Sequence, residues 1–175
     1  MSKFYLTTSI AYVNAPPHLG FALELTQADV IARWHRRRGD GVFFLTGTDE
    51  HGAKIVRAAE AAGKDIKEFV NENAKKFEAL KGLLNISWDY FIRTSDSKNH
   101  WPNAEKLWRE LVKKGDIYKK NYQGLYCVGH EAFVTEKDLT NGICKDHDKA
   151  PEIIEEGNYF FRLSKYADEV KKRIA

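Results

Sequence analysis

Two short cysteine–histidine pairs lie in the last third of the chain and have the spacing of metal ligands. Cys127 and His130 are separated by two residues, as are Cys144 and His147, with thirteen residues between the pairs. Two such pairs can complete a tetrahedron of sulfur and nitrogen ligands around Zn²⁺. The sequence therefore predicts one zinc site. Ordinary surface histidines with buried cysteines, or a Cys127–Cys144 disulfide, remain the alternatives.

The turn after the first strand-like run also has the residue types of a binding site. It reads Tyr12-Val-Asn-Ala-Pro-Pro-His18-Leu-Gly20 and matches neither a G-x-G-x-x-G turn nor a P-loop. The start of a helix offers unpaired backbone N–H groups and a positive dipole end, which bind phosphate. His18 could add a hydrogen bond, and Gly20 leaves room for a flat base. A lone histidine near a helix start is, however, more often a cap or a surface residue.

A carboxylate follows the second strand-like run, in the segment from Gly47 to Gly52. A carboxylate at a strand end cannot be comfortably buried without a partner, so Asp49 is a residue whose partner has to be found. The other interpretation is a solvated turn in which Thr48 or Asp49 caps the next helix. The segment contains no H-E-x-x-H pattern and gives no support for a zinc protease.

Alternating strand and helix patterns predict the scaffold that positions these residues. Strand, helix, strand and helix with short connections are typical of a parallel sheet with right-handed crossovers, so the predicted fold class is α/β. The predicted strands are residues 3–9, 41–46 and 89–94, and the predicted helices are residues 53–62, 66–83 and 103–114.

A further helix is predicted between the first two strands. Its apolar residues Leu23, Val30, Ile31 and Trp34 recur at the spacing of one helical face, which predicts that this face is buried. The arginines around Arg36 are interpreted as a solvated helix end.

The pattern changes after residue 115. Residues 118–126 and 157–163 are strand-like, the cysteine–histidine segment lies between them, and a last helical stretch runs to the end of the chain. We therefore predict two domains, residues 1–115 and residues 116–175.

Bulk properties exclude several classes of protein. The net charge is only +3, so the whole molecule is not a polycation. The residues before the first strand-like run lack the charged and apolar regions of a targeting signal, so we expect none, and no apolar run approaches the length of a membrane span. Two cysteines without a secretory signal are better explained as thiols or metal ligands, which favours the cytoplasm.

Four motifs in register resemble one family. The segment Pro-Pro-His18-Leu-Gly20 resembles the H-I-G-H motif of class I aminoacyl-tRNA synthetases. Within that class, Tyr12 to His18 and Gly47 to Gly52 are similar to the methionyl-tRNA synthetase family, as are Ile86 to Thr94 and Gly124 to Cys127. The resemblance covers nearly all 175 residues. One departure is Phe21, which stands where the family has the second histidine of the motif.

This resemblance implies a fold and an activity. The chain would be the first half of a Rossmann-like nucleotide-binding fold, followed by the start of a connective-peptide insertion with a structural zinc knuckle. Methionine would be activated by ATP, usually with Mg²⁺, and then transferred to tRNA(Met). The family's second half-fold, its K-M-S-K-S-type loop and its anticodon-binding domain do not occur before residue 175. We therefore expect these residues to be nearly inactive alone, and their oligomeric state stays open.

The resemblance also implies roles for individual residues. His18 would be the catalytic contact to the phosphate in the transition state, and Asp49 would receive the α-ammonium of methionine. The implied ATP contacts are His18, Gly20, Phe21 and Glu24, the implied methionine contacts are Ile10, Tyr12 and Asp49, and the implied zinc ligands are Cys127, His130, Cys144 and His147.

Two functions of other classes compete with this one. The first is a stand-alone zinc module that binds nucleic acid, but the segment between Cys127 and Asp148 is rich in acidic rather than basic residues. The second is an inactive synthetase-like fragment that serves as a partner protein, and the sequence does not separate it from the enzyme.

Overall fold

A computed structural model describes residues 2–174 and confirms the predicted α/β class with a parallel sheet. The chain divides into two compact units, one ending at Pro102 and one beginning at Asn103. The break lies in the first turn of a helix that the sequence placed in the domain of residues 1–115, so most of this helix groups with the second unit. The division at residue 115 remains a prediction. Among the described residues, no helix is long and apolar enough to cross a membrane.

The first unit is a parallel sheet with helical connections. Its strands are β1 (Lys3–Thr7), β2 (Ala11–Tyr12), β3 (Gly41–Asp49) and β4 (Tyr90–Arg93), and its helices are α1 (Leu19–Arg37), α2 (Ala53–Ala61) and α3 (Ile66–Leu83). All three pairings of β3 are parallel. Parallel strands end at the same edge of a sheet, which is where open α/β sheets bind ligands.

The first strand is interrupted beside this edge. Leu45 of β3 pairs with both Thr7 and Tyr90, while Thr48 pairs with both Ala11 and Arg93, so β1 and β2 lie on one side of β3 and β4 on the other. The segment from Thr7 to Ala11, which links β1 to β2, is one residue longer than the segment of β3 that faces it, from Leu45 to Thr48. Such an extra residue bends a strand and re-aims its side chains, as bulges beside binding sites do.

The core of the first unit lies between the sheet and its helices. Its buried members include Leu25, Phe44, Ile55, Phe77 and Trp88. Burying a large apolar side chain contributes roughly 1.5–3 kcal/mol, so this cluster is the main source of stability in the unit.

The prediction of which face of α1 is buried was wrong. Leu23, Val30, Ile31 and Trp34 are exposed, as is Leu19 before them. The buried residues of α1 are Phe21, Leu25, Ala28, Asp29 and Ala32. Two of these are alanines, whose small side chains let the helix approach the sheet closely. The apolar spacing found a real helical face but assigned it to the wrong side.

Two arginines of α1, Arg33 and Arg36, pair with other residues, whereas Arg37 is exposed as predicted. Arg36 donates to the Ser87 hydroxyl at 2.5 Å and to Asp89 at 2.7 Å. Asp29 accepts from the Ser87 backbone N–H at 2.6 Å and pairs with Arg33 at 2.5 Å. Burial alone would raise the pKa of Asp29, but the donors of Ser87 and Arg33 outweigh it and lower that pKa. These contacts fix the loop that leads into β4.

The second unit contains an antiparallel sheet. Its first helix is α4 (Trp101–Lys113), which begins just before the break, and its long strands are β5 (Ile117–Cys127) and β9 (Glu152–Phe161), with β6 (Ala132–Val134) on the other side of β5. The short strands β7 (Leu139–Thr140) and β8 (Ile143–Cys144) pair with each other, and α5 (Ala167–Ile174) closes the described chain.

A buried carboxylate ties the start of β5 to the segment that follows β9. Asp116, just before β5, accepts from Lys165 Nζ at 2.6 Å and from the Tyr166 hydroxyl. Its backbone oxygen accepts from the Arg162 N–H at 2.8 Å. The segment after β9 is therefore held against the start of β5.

Gly47 is required for the pairing of β3 with β4. A Cβ atom at this position would lie 2.0 Å from the Ile92 carbonyl oxygen, which belongs to the partner strand and cannot move away alone. We expect Gly47→Ala to destabilise the first unit by about 1–3 kcal/mol or more, because overpacking against backbone forces strands apart. Urea unfolding followed by circular dichroism measures the loss.

Gly82→Ala is the matched control for this substitution. Gly82 lies in α3 with nothing within 4 Å of an added Cβ. Alanine there should stabilise the chain by roughly 0.5 kcal/mol through its higher helix propensity. Equal stability of the Gly47 and Gly82 variants would contradict the close strand approach at Gly47.

Candidate functional site

A cavity of about 500 Å³ opens where β1 leads through β2 into α1. It brings together six of the residues that the sequence singled out for ATP and methionine, which line it in the order Ile10, Tyr12, His18, Gly20, Phe21 and Glu24. Asp49 does not line this cavity, but it is the register partner of Tyr12 on the neighbouring strand. The predicted amino-acid contact therefore lies next to the cavity wall.

His18 is the N-cap residue of α1. Its Nδ1 accepts the Gly20 backbone N–H at 3.1 Å, and its carbonyl oxygen accepts the N–H groups of Phe21 and Ala22. The expected set of unpaired N–H groups is therefore largely engaged by His18 itself, which is the capping role that the sequence left open. Since Nδ1 accepts a hydrogen bond, the proton of the neutral ring lies on Nε2, and that N–H can donate to a ligand.

Gly20 is needed for this arrangement. A Cβ atom there would lie 2.9 Å from His18 Cε1 and 3.0 Å from Nδ1, closer than side-chain carbons normally approach. The glycine thus lets the imidazole lie over the first turn of α1. The sequence predicts space for a flat base beside Gly20. On the side where the Cβ would point, the His18 ring occupies that space.

Glu24 holds the interrupted part of the first strand. Its two carboxylate oxygens accept from the Ser9 backbone N–H at 2.7 Å and from the Ser9 hydroxyl at 2.6 Å. Ser9 immediately precedes Ile10, so this clamp fixes the segment that carries Ile10 into the cavity wall. A carboxylate oxygen has two lone pairs, so Glu24 can still accept from a ligand.

Phe21 packs in the core and also contributes to the cavity lining. Its ring meets Phe77 edge to face, with 5.2 Å between the ring centroids, and only 5% of the residue is exposed. A phenyl ring donates no hydrogen bond, so this position supplies an apolar surface where a histidine would supply a donor. The assignment of Phe21 as an ATP contact remains a prediction.

The Asp49 carboxylate is oriented by two donors. Its Oδ1 accepts from the His51 backbone N–H at 3.3 Å and lies 3.5 Å from the Thr94 hydroxyl, which itself accepts from the Glu50 N–H at 2.8 Å. Both donors leave Oδ2 available for a cationic partner. The arrangement is that of a fixed carboxylate at the ligand-binding edge of the sheet.

An ion pair between Arg93 and the buried Glu50 stabilises this edge of the sheet. The Glu50 side chain is fully buried and accepts from Arg93 Nε at 2.6 Å, from the Thr48 hydroxyl at 2.7 Å and from the Ser95 hydroxyl. Since a buried carboxylate is stable only when it is paired, these contacts tie the end of β3 to the end of β4.

Sequence patterns predicted no role for Glu50 or Arg93. Glu50 and Arg93 are 43 residues apart and meet only through the strand pairing. The sequence signal that could have revealed this pair is Glu50, a second acid beside Asp49 at the end of a buried strand. A buried acid needs a cationic partner, and a neighbouring strand end is where such a partner can lie.

The four predicted metal ligands converge in the second unit. One ligand atom from each of Cys127, His130, Cys144 and His147 lies within 4.8 Å of every other. Cys144 Sγ lies 3.5 Å from His130 Nδ1 and 3.5 Å from His147 Nδ1, and Cys127 Sγ lies 3.7 Å from His147 Nδ1. Both cysteines are free thiols, so the disulfide alternative is contradicted.

These distances fit a tetrahedral zinc site. Zinc–sulfur bonds of about 2.3 Å and zinc–nitrogen bonds of about 2.0–2.1 Å imply sulfur-to-nitrogen edges of about 3.6 Å. The backbone N–H of His130 is the main cause that lowers the pKa of the Cys127 thiol to about 7, and metals bind the thiolate. The donor set therefore fits Zn²⁺.

Gly129 leaves space for the ring of His147. A Cβ atom on Gly129 would lie 2.3 Å from the His147 ring, so only glycine allows the ring to lie against the turn between the first two ligands. Gly129 therefore contacts one of the four candidate ligands directly.

Comparison with known proteins places the chain in a family. Residues 4–144 match the family described as tRNA synthetases class I (M). The chain is 47% identical over 174 residues to a methionine–tRNA ligase of Thermotoga maritima, an alignment that covers 97% of this chain and 28% of that relative. It is 42% identical over 176 residues to the methionine–tRNA ligase of Streptomyces coelicolor, covering 95% of this chain and 32% of the relative.

A solved structure has the same fold. The methionyl-tRNA synthetase of Mycobacterium tuberculosis in complex with methionyl-adenylate superposes with a TM-score of 0.92 at 42% identity, covering 99% of this chain and 35% of that one. The chain thus spans 28% to 35% of the length of these relatives. Its parallel sheet is part of the Rossmann-like fold of that class. The chain belongs to the methionyl-tRNA synthetase family of class I tRNA synthetases.

Proposed function

We propose that the whole protein is a methionine–tRNA ligase and that these residues supply its ATP-binding and part of its methionine-binding site. The observation that carries the proposal is the cavity lined by His18, Ile10 and Tyr12, with Asp49 beside it as the register partner of Tyr12. A ligand that joins a nucleotide phosphate to an amino acid needs a donor for the phosphate and a carboxylate for the ammonium group side by side.

The reaction consists of two transfers. A carboxylate oxygen of methionine attacks the α-phosphorus of ATP, the bond to the leaving pyrophosphate breaks, and methionyl-adenylate remains. A hydroxyl of the terminal ribose of tRNA(Met) then attacks the carbonyl carbon and AMP leaves. ATP would enter as its Mg²⁺ complex. The contribution of the protein is to hold the carboxylate and the phosphate in line.

His18 is the proposed phosphate donor. Its Nδ1 is occupied by the Gly20 N–H, which directs the Nε2–H away from the helix. A donor fixed before the reaction stabilises negative charge on the phosphate oxygens at no cost of reorganisation in the transition state. His18 is thus proposed as an electrostatic contact and does not act as a base.

Asp49 is the proposed partner of the methionine ammonium. The His51 N–H and the Thr94 hydroxyl fix its Oδ1, so the free oxygen can form a charge-assisted hydrogen bond. Ile10 and Tyr12 supply apolar surface for the thioether, which is polarizable and packs well against aromatic rings.

The second unit is proposed to carry one structural Zn²⁺ on Cys127, His130, Cys144 and His147. Support comes from the sulfur-to-nitrogen distances and from the free thiols. Free thiols that bind metal are typical of a reducing compartment, and we propose the cytoplasm.

Substitutions at His18 separate capping from catalysis. Asparagine is a favoured N-cap residue but cannot place a donor where Nε2 lies. In the full-length protein we expect both His18→Asn and His18→Ala to lower methionine-dependent ATP–pyrophosphate exchange by roughly 10²–10³-fold, the usual cost of losing one such donor. His18→Asn should retain wild-type thermal stability. Wild-type exchange in His18→Asn would leave His18 with a capping role alone.

Removal of the Asp49 charge should weaken methionine binding as well as the rate. We expect Asp49→Asn to raise the KM for methionine at least tenfold, since an uncompensated buried charge costs about 2 kcal/mol or more. The KM for ATP should change little. Glu60→Gln, which alters an exposed acid on α2, is the control. An unchanged KM for methionine would refute the assignment of Asp49.

Zinc should stabilise the second unit alone. Structural zinc contributes roughly 10–16 kcal/mol of apparent binding energy in small modules, and the main core cluster lies wholly in the first unit. We expect about one zinc per chain by elemental analysis. Chelation should increase amide exchange between residues 117 and 161 and leave β3 protected. Zinc-free protein, or equal exchange before and after chelation, would contradict the site.

A further inference from the structure

We infer that Asp146 is a positioning residue that selects Nδ1 of His130 as the metal-binding nitrogen, an inference that rests on the proposed zinc site. The Asp146 Oδ2 atom lies 3.0 Å from His130 Nε2, while Nδ1 of the same ring lies 3.5 Å from Cys144 Sγ. The two nitrogens of one imidazole thus face a carboxylate on one side and the other ligands on the opposite side.

The chemistry of imidazole turns this contact into a choice of nitrogen. A neutral ring carries one proton, and a carboxylate can only accept, so Nε2 must be the protonated nitrogen that donates to Asp146. The lone pair then lies on Nδ1, which faces the cluster. Ligand histidines are commonly fixed in this way by a carboxylate on their second nitrogen.

His130 is the ligand that needs such support. Both cysteines are buried, and the His147 ring is confined by contact with Gly129. The His130 side chain is 34% exposed, so packing holds it less firmly. A hydrogen bond to Asp146 replaces that missing packing and limits the rotamers that His130 samples before metal binds.

Asp146 also joins the two ligand pairs. It stands between Cys144 and His147 in the chain, yet it contacts the histidine of the other pair. Its contact is with Nε2, on the side of the ring away from Cys144, so the acid lies outside the set of four ligand atoms. This position favours His130 as the fourth metal ligand and Asp146 as the residue that orients it.

The test is a zinc competition titration against a chromophoric chelator, with the 175-residue chain and with the full-length protein. We expect Asp146→Ala to weaken Zn²⁺ affinity by roughly 10–100-fold, the usual effect of losing such a support. The matched control is Asp148→Asn, which neutralises the neighbouring exposed acid and keeps a residue type suited to its positive φ of 49°. Its affinity should equal that of the wild type.

Nitrogen-15 spectra of the histidine rings provide the second measurement. The wild-type His130 ring should show a metal-bound Nδ1 and a protonated Nε2, and the Asp146→Ala ring should show faster exchange of the Nε2 proton. A metal-bound Nε2, or an unchanged affinity in Asp146→Ala, overturns the inference while the zinc site stands. Full affinity in His130→Ala with loss in Asp146→Ala would make Asp146 the ligand. Absence of zinc from the wild type would overturn both proposals.

Discussion

The parallel pairing of β3 with strands on both sides is the constraint on which the first unit depends. This strand holds Tyr12 in register with Asp49 on one side and Arg93 beside Thr48 on the other. The pairing is close because Gly47 has no side chain, and it is closed by the buried pair of Glu50 and Arg93. Without it, the carboxylate of Asp49 would have neither its position beside Tyr12 nor the Thr94 hydroxyl as a donor.

The first turn of α1 adds the second half of the proposed site, where His18 has an observed capping role and a proposed binding role. His18 caps the helix with Nδ1 and is itself part of the cavity lining, and we propose its remaining N–H as the phosphate donor. Capping and ligand binding, which the sequence presented as alternatives, are thus compatible in one imidazole. Glu24, one turn further along the helix, clamps Ser9 and so fixes the strand interruption that forms the opposite wall.

Local patterns predicted the elements well and their packing less well. The bounds of α3 are those predicted, because Asp65 caps its first turn and its apolar spacing is regular. The buried face of α1 was mispredicted because the bulky exposed residues dominate the periodicity, whereas the buried face includes the small residues Ala28 and Ala32. Arg36 was assigned to solvent because its partners Ser87 and Asp89 are more than fifty residues away.

The candidate site shows the same division. Motif resemblance singled out residues that the fold brings around one cavity, and ligand spacing found the cysteine–histidine cluster. The supporting contacts were not predictable from spacing. Glu50 meets Arg93 only through strand register, and Asp146 meets His130 only once the two ligand turns face each other. Residues that bind carry local signatures, whereas residues that hold them depend on the tertiary structure.

The most direct test of the proposed function is a crystal structure of the full-length protein with a non-hydrolysable analogue of methionyl-adenylate. We expect the amino group of the analogue to lie within about 3 Å of an Asp49 carboxylate oxygen. The adenosine should lie beside Gly20 and Glu24, and the phosphate analogue within hydrogen-bond distance of His18 Nε2. A ligand bound elsewhere on the sheet, or an amino group that contacts other carboxylates while Asp49 remains solvated, would contradict it.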